Sequence, residues 1–218
     1  MLYISASDVA AIVGKNPYKT RDDILHKVLR LGPTPDDVAE ETIRTLPPEV
    51  QVMVHQTIAE SRTTETSSTM AQELVARGAD IPNEVVKEYL TRKVSTQHGI
   101  NNEANTARHF GVRSDDTFYR HQLTETVQLI GRIDGRLEED EETIVEIKNR
   151  RNRLFNRIPE YEMVQIHVYM FLTGAQKCLF IERYNESTKT YTVDFDEPYF
   201  THQVLAPLTS FANNIGTM

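Results

Sequence analysis

The spacing of apolar residues changes along this chain from a helical pattern to a strand pattern. Most of the first half has apolar positions three or four residues apart, which is typical of helices. From Thr117 onward the period is two, which indicates strands. The predicted helices cover 24–31, 70–77, 84–93, 97–110, 160–172 and 200–213, with a Ser- and Thr-rich loop at 60–68. The predicted strands cover 118–123, 126–137, 143–148, 177–183 and 190–195.

The order of these elements predicts an α+β fold, in which a mixed central β-sheet is flanked by helices and the functional site lies at one edge of the sheet. A chain of 218 residues is long enough for one domain with a sizeable core. We expect a single domain over 1–218, with a mainly helical N-terminal region or insertion at 1–95 and the core at 96–218. Near the start, Ser5 with Asp8, and then Thr20 or Asp22, are predicted to cap two helices.

Composition narrows the class of protein. The chain is 39% hydrophobic and 26% charged, which is ordinary for a globular protein. A single cysteine, Cys178, excludes an intramolecular disulfide and a Cys-based metal cluster, and its apolar neighbours predict an inert buried thiol. No apolar run has the length of a membrane span and no signal-peptide pattern opens the chain, so we expect an intracellular protein.

The net charge of −8 argues against a protein that coats nucleic acid, but the charges are unevenly placed. Five basic residues follow one another without an intervening acid: Lys148, Arg150, Arg151, Arg153 and Arg157. An acidic protein with one local basic strip is compatible with an enzyme that acts on DNA.

The segment 129–148 carries the candidate chemistry. Two β-rich stretches flank an acidic turn, which predicts an antiparallel hairpin. Alternation places Glu146 and Lys148 on one face of the second strand, and Asp134 can lie opposite them. Two carboxylates can hold Mg²⁺, with the Ile147 carbonyl as a third oxygen, while the ammonium orients or deprotonates a water or steadies a phosphate. The alternative is a solvent-facing cross-strand salt bridge.

Two glycines interrupt the first strand of this hairpin. Gly131 and Gly135 weaken a strand intrinsically, and such positions often mark the close approach of another backbone. That backbone could be DNA. A bulge or a sharp twist explains the glycines equally well.

Asp134 followed by Glu146-Ile147-Lys148 resembles the core of the PD-(D/E)xK nucleases. Three further stretches are similar to motifs of the lambda-exonuclease, or YqaJ-like viral recombinase, branch: the opening segment 4–18, Gly99-x-x-x-Glu103, and Gln165-x-x-x-Tyr169. Four motifs in order over most of the chain make the match specific. The resemblance implies a restriction-endonuclease-like core, so that 96–218 would be the catalytic core of a single nuclease domain.

The resemblance also implies roles for individual residues. Glu103 becomes a ligand of the metal or of its water, and Gln165 and Tyr169 position the reacting groups. Ser5 and Ser7 are expected near the DNA phosphates. The strip after the catalytic strand is expected to contact the DNA backbone through Arg150, Arg151 and Arg153.

The function that the resemblance implies is a Mg²⁺-dependent deoxyribonuclease in recombination or repair, a 5′→3′ exonuclease on the ends of double-stranded DNA, with Mn²⁺ as a substitute metal. A single-strand annealing protein and a homotrimer are the implied partners. Two alternatives stay open: a structure-specific or nicking endonuclease of the same fold, and a catalytically silent DNA-binding recombination protein. The helical interval 34–95 either cradles DNA or mediates assembly, or it only adds packing to one edge.

Overall fold

The computed structural model describes residues 1–65, 69, 72 and 84–216. Its helices are α1 (Val9–Ile12), α2 (Arg21–Leu29), α3 (Pro35–Arg44), α4 (Pro48–Ala59), α5 (Glu84–His109), α6 (Glu160–Thr173), a short α7 (Glu197–Tyr199) and α8 (Ala206–Gly216). A 3₁₀ turn (Ala6–Asp8) precedes α1, and a π-helical segment (Phe200–Leu205) precedes α8. All of the helix predicted at 70–77 except residue 72, and residues 66–68 of the predicted loop, lie outside the described residues.

The strands form two sheets. They are β1 (Leu2–Ser5), β2 (Val112–Ser114), β3 (Tyr119–Gln122), β4 (Val127–Gly131), β5 (Gly135–Leu137), β6 (Thr143–Asn149), β7 (Lys177–Tyr184) and β8 (Ser187–Asp194). The smaller sheet has the order β1-β4-β3 and the larger has the order β2-β5-β6-β7-β8. Pairs β1–β4 and β6–β7 are parallel and the other pairs are antiparallel, so both sheets are mixed. The predicted α+β class with mixed sheets and flanking helices is confirmed.

The strand predicted at 126–137 is wrong, because the chain changes sheets in its middle. It leaves the smaller sheet at Gly131 and enters the larger sheet at Gly135, where it pairs with Val145. The predicted hairpin is therefore the pair β5–β6. The prediction of a site at a sheet edge is also wrong, because β6 is the middle strand of five.

Close packing explains both glycines. A Cβ atom on Gly135 would clash with the backbone carbonyl of Arg113 and lie 2.6 Å from Val112 Cγ1. The backbone predicted to approach Gly135 is thus the protein's own strand β2. A Cβ on Gly131 would lie 2.9 Å from Leu172 Cδ1 and 3.0 Å from the Tyr169 ring.

Local signals explain where the early helices begin. Thr20 caps α2 and forms a capping box with Asp23, which settles the choice between Thr20 and Asp22. Ser5 instead closes strand β1, and its side chain does not cap a helix; its hydroxyl donates to the Asp8 carboxylate at 2.8 Å. The four-residue strand β1 is too short to show a period, so the sequence pattern missed it.

The N-terminal helices form a hydrophobic cluster of their own. Helices α3 and α4 pack against the first half of α5 through a cluster of buried residues: Ala39, Ile43, Val54, Val86, Tyr89, Leu90 and Val94. The second half of α5 packs against β2 and β6. The sequence predicted two helices at 84–93 and 97–110, but α5 is one helix of 26 residues. The predicted division at residue 95 therefore falls inside α5.

Candidate active site

Asp134 lies at the seam between the two sheets. It ends the three-residue link 132–134 and directly precedes β5. The backbone N–H of Ile147, on the neighbouring strand β6, donates to Asp134 Oδ2 at 2.7 Å. This bond fixes the carboxylate against the middle strand and leaves Oδ1 as the oxygen directed to other partners.

Glu146 and Lys148 lie on the same face of β6, as the alternation predicted. Lys148 Nζ donates to Glu146 Oε1. On the opposite face, Val145 and Ile147 join a hydrophobic cluster beneath the sheet. The Glu146 side chain is 3% exposed, and its Oε2 atom is buried without a hydrogen-bond partner among the described residues. A solvent-facing salt bridge, the alternative interpretation, is therefore excluded.

Burial and mutual repulsion perturb this cluster. Burial, and then the charge of Asp134, raise the pKa of Glu146 to about 7. Burial raises the pKa of Asp134 to about 6 against the opposing effect of Lys148. Although burial disfavours its charge, Lys148 has a pKa above its ordinary value because Glu146 and Asp134 attract the ammonium. Lys148 is consequently protonated at neutral pH.

Glu103 approaches the same carboxylates from α5. It is partly buried, and burial followed by the charge of Glu146 raises its pKa. Within the described ranges, no three His, Cys, Asp or Glu side chains converge closely enough to hold a metal ion by themselves. A cation here would therefore need backbone or water oxygens in addition to side chains.

The donors nevertheless fit a hard cation. Two carboxylates that repel each other, the partly buried Asp134 and the buried Glu146 with its unpartnered oxygen, form a site that a divalent ion would stabilise. Asp134 and Glu146 supply side-chain oxygens and Ile147 supplies a carbonyl. Mg²⁺ usually keeps several of its waters, so two carboxylates are enough.

The predicted pair on α6 lies beside the carboxylates. Gln165 Nε2 donates to the Tyr169 hydroxyl at 2.9 Å. Tyr169 is 8% exposed, and burial followed by the charge of Glu146 raises its pKa. The structure thus brings Glu103, Asp134, Glu146, Lys148, Gln165 and Tyr169 into one region.

The N-terminal serines sit on the strand-to-helix turn after β1. Their hydroxyl oxygens, Ser5 Oγ and Ser7 Oγ, are 3.0 Å apart. Asp8, which is 1% exposed, accepts hydrogen bonds from Ser5, Lys19 and Lys27. This turn packs against α6 and β4, so the serines lie on the same side of the fold as Tyr169.

The basic strip divides into residues with different surroundings. Arg150 makes a bidentate pair with Glu162 at 2.7 Å and donates through Nε to Glu182 at 2.8 Å. Its side chain is only 10% exposed. The predicted DNA contact is therefore wrong for Arg150, because its guanidinium neutralises two buried carboxylates.

Arg151 and Arg153 remain available. Two nitrogen atoms of Arg151, Nε and Nη1, are buried without a hydrogen-bond partner among the described residues. Burial lowers the pKa of Arg151. Arg153 is exposed. Buried guanidinium nitrogens without a hydrogen-bond partner are costly, and an anion would relieve that cost.

Three charged residues of this region were missed by the sequence pattern. Glu162 and Glu182 are buried partners of Arg150 that lie 12 and 32 residues away from it, and no local signal marks them. Arg132 lies in the link between the sheets, where its charge acts to lower the pKa of Glu103 and of Asp134. Its position two residues before Asp134 was the available signal.

The mixed sheet, the Asp134-Glu146-Lys148 set on its middle strand and the flanking helices define a protein of the PD-(D/E)xK nuclease class. More narrowly, the chain belongs to the YqaJ-like viral recombinase domain family, whose sequence model matches residues 49–176. That range contains all six side chains brought together at the site. The predicted superfamily and branch are confirmed.

Solved structures agree on the fold. The crystal structure of LHK-Exo in complex with dAMP is similar over 98% of this chain and 90% of that chain, with a TM-score of 0.51 and 13% identity. A crystal structure of the alkaline exonuclease LHK-Exo from Laribacter hongkongensis is similar over 99% of this chain and 90% of that one, with a TM-score of 0.50 and 13% identity. No protein with a curated description has a matching sequence. None of the described helices is long and apolar enough to cross a membrane.

Proposed function

We propose that this protein is a divalent-metal-dependent deoxyribonuclease that digests double-stranded DNA from its ends in the 5′→3′ direction. One observation carries the proposal: Asp134, Glu146 and Lys148 are held together in a partly buried site, with one oxygen of the buried Glu146 carboxylate unpartnered within the described chain. Hydrolysis at DNA ends is supported by the similar fold of a protein named an alkaline exonuclease. The direction of digestion rests on the family resemblance.

In this proposal, Mg²⁺ or Mn²⁺ is held by Asp134, Glu146 and the Ile147 carbonyl, with Glu103 as a ligand of the metal or of its water. When bound, the ion supplies Lewis-acid stabilisation of the phosphoryl oxygens and activation of water. Lys148 is protonated, so it acts as a hydrogen-bond donor that orients the nucleophile and stabilises phosphoryl charge.

The remaining residues position the substrate. Tyr169 and Gln165 form one hydrogen-bonded pair beside the carboxylates, which favours an orienting role over direct proton transfer. We assign backbone phosphate contacts to Arg151, Arg153, Ser5 and Ser7. The buried, unpartnered nitrogens of Arg151 support this assignment, because a phosphate oxygen would satisfy them.

The homotrimer and the single-strand annealing partner stay predictions from the family resemblance. A structure-specific or nicking endonuclease is the main competing function, since the same fold can serve different substrates. A catalytically silent DNA-binding protein is less favoured, because the acidic pair and the lysine are both present and in contact.

The test is digestion of linear duplex DNA labelled at either the 5′ or the 3′ end, with circular DNA in parallel. We expect the linear DNA to be digested with early release of the 5′ label, the circle to survive, and chelator to stop the reaction. Cleavage of the circle would establish the endonuclease instead. Full activity in chelator would end the metal assignment.

Point variants locate the chemistry. Lys148→Ala and Glu146→Gln are expected to abolish cleavage while the protein stays folded. Matched substitutions of exposed residues near the β7–β8 turn, Lys189→Ala and Glu186→Gln, should keep full activity. Wild-type cleavage by Lys148→Ala would refute the assignment of the site.

A salt titration tests the arginines. Each phosphate contact adds roughly 0.9 to the slope of log affinity against log salt for duplex DNA. The double variant Arg151→Ala/Arg153→Ala should therefore flatten that slope by up to about 2 and weaken binding to all sequences alike. An unchanged slope would show that neither arginine contacts a DNA phosphate.

A further inference from the structure

A wide groove lies next to the candidate active site, and of its lining residues only Arg153 has a role in the proposed hydrolysis. It has a volume of about 1130 Å³ and runs between two segments, residues 14–18 after α1 and residues 153–161 after β6. Tyr199 borders it on the third side.

Aromatic rings stand open to solvent on both walls. Tyr18, on one wall, is 77% exposed, and its ring packs edge-on against Tyr161 with centroids 5.8 Å apart. Phe155, on the other wall, is 37% exposed. Large exposed rings on facing walls of one groove are unusual unless a ligand covers them.

Positive charge accompanies these rings. Arg153 and Arg157 line the groove, and neither has an ion-pair partner in the described part of the chain. Lys15, on the opposite wall, is paired with Glu160 at 2.5 Å. Exposed rings interleaved with unpaired arginines are the chemistry that binds single-stranded nucleic acid, because bases stack on the rings and phosphates meet the guanidinium groups.

The wall that carries Phe155 is rigidly held. The backbone N–H groups of Phe155 and Asn156 donate to the fully buried Glu182 at 2.8 and 3.2 Å. The Arg150 guanidinium lies 4.0 Å from the centroid of the Phe155 ring and supports its inner face. A ring fixed in this way loses little conformational entropy when a base stacks on it.

Helix α6 connects the groove to the catalytic centre. Tyr161, Gln165 and Tyr169 are spaced by four residues, so they follow one face of the helix. At a rise of 1.5 Å per residue, Tyr161 lies about 12 Å along the axis from Tyr169. A strand with about 3.4 Å per nucleotide covers that distance in roughly four nucleotides.

We propose that this groove binds a single-stranded DNA tail that continues from the strand held at the catalytic centre, with bases stacked on Tyr18 and Phe155. The proposal rests on the proposed function, which places a DNA strand beside Lys148. It predicts that the protein prefers duplexes with single-stranded tails over blunt duplexes.

The test measures fluorescence anisotropy of labelled duplexes in a Lys148→Ala background, which prevents digestion during the titration. The probes are a blunt duplex and duplexes with 5′ or 3′ tails of about two, four and eight nucleotides, near the lengths that single-strand sites cover. In the parent, affinity for duplexes with 5′ tails should rise with tail length and level off beyond roughly four nucleotides, because the proposed 5′→3′ digestion places the 5′-ended strand at the catalytic centre. The 3′ tails belong to the complementary strand and should add little.

Substitution of the rings then identifies the groove. Tyr18→Ala or Phe155→Ala should weaken binding of the long-tailed duplex by about 5-fold to 150-fold, as for the loss of one stacked base, and leave the blunt duplex unchanged. Tyr18→Phe keeps the ring and should bind as the parent does. Phe118→Ala is the matched control, since Phe118 is also exposed and stacks with an arginine, Arg120, outside the groove.

Three results would overturn the proposal: no gain from the tail in the parent, equal losses on blunt and tailed DNA, or the same loss in Phe118→Ala. Digestion of linear duplex by the protein with Lys148 intact is followed in parallel. If the protein digests DNA but its binding does not depend on the rings, the groove proposal is refuted and the proposed nuclease function stands. If tail binding depends on the rings but no digestion occurs, the groove proposal stands and the nuclease function is refuted. If the protein neither binds tails nor digests DNA, both proposals are refuted.

Discussion

The buried charge network around Arg150 leads to a quantitative prediction. Replacing Arg150 with Met keeps a side chain of similar length but removes the charge and all three donor groups. Glu162 and Glu182 then remain buried, at 4% and 0% exposure, without the ion pairs that Arg150 makes with them.

The magnitude follows from what each carboxylate loses. Removing one partner of a buried ion pair typically costs about 3–5 kcal/mol. Glu182 keeps the backbone donors of Phe155 and Asn156, so we place the loss in the lower half of that range, at about 3–4 kcal/mol. For a chain of this length, a loss of that size lowers the melting temperature by roughly 6–16 °C.

The assay is denaturant and thermal unfolding followed by circular dichroism. Arg153→Met is the matched control, because Arg153 belongs to the same basic strip but is exposed; its substitution should change the free energy of unfolding by no more than about 0.5 kcal/mol. Equal effects of the two variants would refute the division of the strip into a structural arginine and arginines open to DNA.

Three further predictions concern the site itself. With metal removed by chelator, the melting temperature should fall as pH rises from about 4.5 to 7. The raised pKa of Glu146 means that its protonated carboxyl stabilises the fold, and this stabilisation is lost as the carboxyl ionises over that range. Mn²⁺ should abolish the fall, and a flat profile in chelator would contradict the raised pKa of Glu146. Gly135→Ala should cost more than about 2 kcal/mol in unfolding experiments and reduce cleavage, because the added methyl group clashes with the carbonyl of Arg113, and wild-type stability would count against that packing. Tyr169→Phe removes one hydrogen-bonding hydroxyl and should lower turnover by roughly tenfold in single-turnover assays. A complete loss like that of Lys148→Ala would give Tyr169 a part in the chemistry.

Strand β6 was predictable because its signal is local. Alternation over 143–148 is enough to place Glu146 and Lys148 on one face, whatever the rest of the chain does. The spacing of Gln165 and Tyr169 is local in the same sense. Neither prediction depended on which elements pack around the site.

The errors come from long-range packing. The predicted strand ran through 132–134, but the chain changes sheets there, between Gly131, which is crowded by Leu172, and Gly135, which is pressed against strand β2. No local pattern shows these contacts. Likewise, the position of Arg150 directly after strand β6 suggested that its side chain is open to solvent and to DNA. Its surroundings are decided by Glu182, which the parallel pair β6–β7 brings beside it.

The continuity of α5 restricts how this protein can change in length. One half of the helix belongs to the N-terminal hydrophobic cluster and the other half carries Glu103 toward the catalytic strand. A single residue inserted between Val94 and Glu103 would rotate one half relative to the other by about 100° and shift it by about 1.5 Å. Either the packing of the first half in the N-terminal cluster or the position of Glu103 beside strand β6 would then be lost. Insertions and deletions between the N-terminal helices and the catalytic core should therefore survive only outside Glu84–His109.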